Sequence, residues 1–160
     1  MKTYKDHRRE WIPQQIESQF SKEDKILDVG AGPQPYRNVC GSLGLEYEAL
    51  DFGDYSNLDY KMDLTKPIDL LNETYDGILL TEVLEHIPNP VALLEDLVRI
   101  LKIGGKLIIT APMKCDRHQE PYIYSTGYFP EFYEYWSEKF KCEATIEEHP
   151  RGVLTVWTKT

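Results

Sequence analysis

ILDVGAGPQPYR, residues 26–37, decides how the rest of the chain is read. Apolar, β-favouring positions lead into Asp28, two glycines follow one residue apart, and Pro33 and Pro35 come next. A strand that ends in glycines and reopens as a helix brings unpaired backbone N–H groups close to a ligand, with no Cβ in the way. A dinucleotide fingerprint needs a third glycine, and that place falls on Pro35. Tight helix packing over a pyrophosphate is therefore not encoded, and the loop faces something else.

Outward from this loop, apolar runs of strand length alternate with segments of helical period, the pattern of a largely parallel sheet with crossover helices. DKILDVG, LEYEALDF, DYKMDL, YDGILLTE and GGKLIITAP read as five successive strands. PVALLEDLVRILK is the clearest helix: Val91, Leu94, Leu97, Val98 and Leu101 share a face, Asn89 is its N-cap, and Gly104 is expected just past its end. A second helix is expected from about Thr126 or Pro130, inside the aromatic stretch YIYSTGYFPEFYEYWSEKF. KCEATIEEH and GVLTVWTKT flank a short turn at Pro150–Gly152 and must form an antiparallel hairpin. The expected fold is α/β, a single-domain Rossmann-like doubly wound sheet over residues 1–160, with residues 1–22 as an N-terminal helical segment.

The 160 residues suffice for one core without staples, and Cys40, Cys115 and Cys142 show no C-x-x-C spacing, so reduced thiols are expected. A net charge of -9 disfavours nucleic acid. No run is long enough to span a bilayer and MKTYKDHRREW lacks a signal-peptide core, so no membrane partner and a cytoplasmic location are expected. The basic cluster Lys2, Lys5, Arg8 and Arg9 reads as a solvated helix face.

Asp51 ends the second strand at the distance from Gly30 where doubly wound folds place a ribose-binding acid. Asp63 follows the third strand and offers an acceptor to an adenine amino group, while TEVLEHIPNP leaves the fourth strand at its carboxyl end. Together these outline an adenosine site whose glycine loop faces a short polar tail.

With these segments in place the chain resembles class I S-adenosylmethionine-dependent methyltransferases of the type 11 group: DVGAG matches the first motif, YDGILLTEVLEHIPNP the fourth and LKIGGKLIIT the fifth-strand motif. The resemblance implies S-adenosylmethionine as cofactor. It sets Gly30 and Gly32 against the methionine part, has Asp28 order the loop or reach the amino group through water, and gives Asp51 the ribose hydroxyls. By the same resemblance Asp63 and the Leu64 backbone read the adenine, Phe52 stacks on or flanks it, and Thr81 and Glu82 line the methionine side.

A base for a neutral hydroxyl acceptor would come from His118, Glu120 or His86, near the carboxyl ends of the fourth and fifth strands. For His86 a capping or packing role competes with this one. Asp116, His118 and His149 match no metal-site spacing, and no metal is expected. The expected acceptor is a small molecule or saccharide. The chain offers little to roof it, so the site would be open or completed by a second copy in a homodimer. The competing readings are an S-adenosylmethionine-binding module without turnover, and an NAD-linked oxidoreductase.

Overall fold

Seven strands hydrogen-bond in the order β3-β2-β1-β4-β5-β7-β6 in the computed structural model, which describes residues 2–160. The parallel strands are β1 (Lys25–Val29), β2 (Glu46–Asp51), β3 (Tyr60–Lys61), β4 (Tyr75–Thr81) and β5 (Leu101–Pro112). β6 (Cys142–His149) and β7 (Gly152–Lys159) form the expected hairpin, and β7 pairs antiparallel with β5. The strand order reverses between β1 and β4, where open α/β sheets bind ligands beyond their carboxyl ends.

Alternation along the strands divides two apolar layers. Leu27 and Val29, Ile78 and Leu80, and Leu107 and Ile109 point to one face, covered by α3 (Pro90–Ile100) and α4 (Pro130–Lys139). Ile26, Leu79 and Ile108 point to the other, covered by α1 (Tyr4–Gln19) through Trp11, Ile12 and Ile16 and by α2 (Arg37–Ser42) through Cys40. The sheet is thus sandwiched between helices. Asn89 caps α3 as expected, accepting from the Ala92 amide at 3.3 Å, and Leu93, Leu94, Leu97, Val98 and Ile100 are its buried face.

Two local expectations shift. The third strand shrinks to Tyr60–Lys61, because only Leu50 and Asp51 extend far enough to pair with it. α3 stops at Ile100, and Leu101 is already extended, at φ -74° and ψ 135°. Tyr75 pairs with Leu101 but Gly77 pairs with Lys106, so β5 bulges over the residues between them. Gly104, at φ +79°, turns that bulge instead of capping the helix.

Gly77 marks a close approach of α1 to the sheet: a Cβ there would lie 2.4 Å from the Phe20 ring and 2.6 Å from Ile26 Cδ1. Gly77→Ala is therefore expected to cost about 1–3 kcal/mol by overpacking. A urea-unfolding midpoint equal to that of the unsubstituted protein would show that Phe20 yields freely.

Candidate functional site

The glycine loop is held open by a carboxylate. Asp51, nearly fully buried at the end of β2, accepts from the Gly32 amide at 2.9 Å through Oδ2 and from the Gly53 amide at 2.8 Å through Oδ1. Gly30 and Gly32 have φ of +70° and +49°, and a Cβ on Gly30 would stand 2.4 Å from Val83 Cγ2. Only glycine allows this backbone to close against the segment after β4.

In front of the loop lies a cavity of about 830 Å³. Gly30, Gly32, Asp51 and Phe52 form one side, Asp63 and Leu64 a second, and Thr81, Glu82 and His86 a third. Glu120 and Tyr122 come in from the loop after β5, where the Tyr122 ring meets Phe52 edge-on at 5.8 Å between centroids. Asp63 Oδ1 accepts from the amide and hydroxyl of Thr65, bonds that hold its carboxyl below the usual range and keep it an acceptor. The residues from strands one to four that the sequence marked as a nucleoside site thus line a single cavity, Asp28 excepted.

Asp28 is buried behind the loop, where the Tyr47 hydroxyl donates to Oδ2 at 2.5 Å, and it is not on the cavity wall. Burial pushes its pKa from 3.8 up to about 7, against the Tyr47 hydrogen bond, which lowers it. Between those values the folded chain holds a proton that the unfolded chain has lost, so this group's contribution to stability falls as pH rises through that window.

A second cavity of about 800 Å³ adjoins the first, and Arg8, Glu82, His86 and Gln119 line both. Glu82 is the partition. Its φ is +57°, and its amide donates to the Thr110 carbonyl at 2.8 Å. Its Oε1 accepts from the Tyr4 hydroxyl at 2.9 Å and from Thr110 Oγ1 at 3.1 Å, and its Oε2 pairs with Arg8 at 2.5 Å. Tyr4 reaches this position because Gly152 has no Cβ; one there would sit 2.2 Å from its ring. Arg8 therefore belongs to the site, which corrects its reading as part of a solvated face. Tyr4 and Arg8 lie four residues apart, on one side of α1, so both reach Glu82.

Glu85 was also passed over. It stands on the short 3₁₀ turn Leu84–His86, is almost wholly buried, and its Oε2 has no hydrogen-bond partner among the described residues. Burial, and then the nearby Glu82 charge, push its carboxyl up to about 8. An acid flanked by Leu84 and His86 in an apolar turn was the available clue. His86 is held by its Nδ1 against the Tyr122 carbonyl at 2.6 Å, and burial lowers its pKa. His118 faces it edge-on, with ring centroids 4.9 Å apart, and opens on the second cavity.

Residues 4–142 match the family described as a methyltransferase domain. A ubiquinone biosynthesis O-methyltransferase of Xanthomonas oryzae is 28% identical over 102 residues, 54% of this chain and 42% of that protein. The chain thus spans less than half the length of that curated relative. Among solved structures, a SAM-dependent methyltransferase from Archaeoglobus fulgidus superposes with a TM-score of 0.76 at 14% identity, covering 94% of each chain. One from Aquifex aeolicus gives 0.67 at 20% identity, covering 91% of this chain and 88% of that one.

Asp51→Ala is expected to weaken S-adenosylhomocysteine by about 1.5–3 kcal/mol, because it removes charge-assisted hydrogen bonds and frees the loop. An unchanged dissociation constant in calorimetry would place the ribose elsewhere. Asp28→Asn should remove the pH slope described above. Its unfolding free energy relative to the unsubstituted protein should rise by roughly 1–3 kcal/mol from about pH 4 to about pH 8; a difference that does not vary with pH would mean that Asp28 is ionised throughout. The match over most of the chain, the reversal point of the sheet and the cavity at its carboxyl edge lead to one assignment: this chain belongs to the methyltransferase-domain family, among the class I S-adenosylmethionine-dependent methyltransferases.

Proposed function

We propose that the chain methylates a hydroxyl oxygen of a small molecule that carries negative charge. The observation that carries this reading is the pair of confluent cavities, with Glu82 and His86 on their shared wall. One has the glycine cradle, with Asp51 and Asp63 in reach of a nucleoside; the other ends on Glu85, His86 and His118. Bound in the first cavity, S-adenosylmethionine supplies an electrophilic methyl group and a neutral thioether leaving group. The acceptor oxygen forms the new O–C bond as the C–S bond breaks, and its proton passes to solvent or to a group on the wall.

The chain's own residues orient the reactants. Asp51 fixes the loop, and Glu82, locked by Tyr4 and Arg8, keeps the passage between the cavities in one shape. The Glu85–His86–His118 group meets the acceptor and assists loss of its proton. Lys5, Lys114 and Arg151 line the second cavity and have no ion pair among the described residues, which favours an anionic acceptor. The relatives named as O-methyltransferases support oxygen as the methylated atom. The acceptor's identity, a saccharide included, and a site completed by a second copy stay within this proposal.

The test is release of S-adenosylhomocysteine from S-adenosylmethionine and a panel of anionic hydroxylated metabolites. His118→Ala is expected to lower turnover about a hundredfold while leaving S-adenosylhomocysteine affinity unchanged. Arg151→Ala should raise KM for an anionic acceptor with little change in kcat. Tight cofactor binding with no methyl transfer to any acceptor would favour the non-catalytic binding module.

A further inference from the structure

We propose that Glu85, His86 and His118 bind a divalent first-row transition-metal ion where the second cavity meets the first. One ligand atom from each of the three lies within 4.8 Å of one from either of the others. His86 Nε2 is 3.7 Å from Glu85 Oε1. Tetrahedral sites with bonds near 2.0–2.1 Å set their ligands roughly 3.4 Å apart, so this first pair stands close to coordinating distance. His118 closes the set by moving in roughly 1 Å, and it sits in a segment that belongs to no strand or helix.

Two independent features point to a cation. The first is Glu85, almost wholly buried, which turns Oε1 toward His86 Nε2 and whose Oε2 has no hydrogen-bond partner among the described residues. Such an atom is costly unless something positive completes it. The second is the orientation of both imidazoles. His86 Nδ1 lies 2.6 Å from the Tyr122 carbonyl and His118 Nδ1 lies 2.8 Å from the Asp116 carbonyl. Carbonyls only accept, so each ring donates its Nδ1–H and keeps the lone pair on Nε2. That is the outer-shell arrangement that orients metal-binding histidines.

Two neutral imidazoles and one carboxylate favour zinc, cobalt, nickel or iron over magnesium, which prefers an oxygen shell. Glu82 is already occupied by Tyr4, Thr110 and Arg8 and is not counted as a ligand. Three protein ligands leave a coordination position for the acceptor oxygen, whose O–H the ion would acidify. This deepens the reading above and rests on it for the acceptor's position, while the ion's binding is measured without turnover.

The experiment titrates Co²⁺ into chelator-treated protein and follows its visible d–d absorption, with S-adenosylhomocysteine titrated into the same samples by calorimetry. Expected is saturation at a single Co²⁺ per chain, displacement by Zn²⁺ and indifference to excess Mg²⁺. Glu85→Gln and His118→Ala should each raise the Co²⁺ dissociation constant by about a hundredfold or more and leave S-adenosylhomocysteine affinity unchanged. His149→Ala, at a ring that lines the same cavity but stacks on His7 and is outside the ligand group, should bind Co²⁺ normally. Absence of saturable Co²⁺ binding, equal displacement by Mg²⁺, or a loss caused by His149→Ala but not by His118→Ala overturns the site. S-adenosylhomocysteine binding without Co²⁺ binding overturns the metal site alone. Co²⁺ binding without S-adenosylhomocysteine binding upholds the metal site and overturns the proposed methylation.

Discussion

The Glu82 carboxylate is the point on which both cavities depend. It follows β4 directly, and its left-handed backbone breaks the strand where the sheet gives way to the site. A non-glycine residue held there costs about 1–3 kcal/mol and persists only when its surroundings over-determine it. Here they do: the Thr110 carbonyl holds its amide, and Tyr4, Thr110 and Arg8 take its two oxygens. Since Tyr4 and Arg8 belong to α1, the N-terminal helix acts as a wall of the site as well as a cover for one face of the sheet. The glycine at 152 is the concession that β7 makes to let Tyr4 through.

Three further acids are buried at the carboxyl edge, and each is treated differently. Asp51 has two backbone N–H donors, one for each carboxyl oxygen. Asp28 has one donor, the Tyr47 hydroxyl, and is held near neutrality behind the loop. Glu85 has an oxygen with no hydrogen-bond partner among the described residues. Burial without compensation is expensive, so an acid at such a place is retained for something other than folding. In the order Asp51, Asp28, Glu85 the compensation falls from two backbone donors, through one hydroxyl, to an oxygen with no partner among the described residues.

Most of the fold was legible because it rests on local pattern. The apolar runs in ILDVG and GILL, the Asn89–Pro90 start of α3 and the Pro150–Gly152 turn each specify their element with little help from distant contacts. The third strand and the end of α3 were misjudged because partners decide them: β3 has the length that β2 can pair, and Gly104 turns a bulge defined by the register with β4. That Gly30, Asp51 and Asp63 line one cavity was equally readable, since Asp51 ends β2, Gly30 and Asp63 follow β1 and β3 within two residues, and the sheet brings strand ends together. What could not be read was the contribution of α1. Nothing in YKDHRREW says that Tyr4 and Arg8 turn inward to Glu82, nearly eighty residues away, and an exposed basic face has the same composition.

The same long-range folding reverses the electrostatic reading of the chain. A net charge of -9 describes an acidic protein that repels anions on average. Yet Lys5 from α1, Lys114 after β5 and Arg151 from the β6–β7 turn come together on the second cavity, where Glu82 is already paired with Arg8 and the other acids are the buried Glu85 and the exposed Asp116. Charge-charge interactions beyond about a Debye length of 10 Å are screened at ordinary salt, so an approaching acceptor responds to these cations and not to the distant surface acids. Net charge disfavours extended polyanions, which must contact much of the surface, but it leaves room for a small anion that enters one pocket.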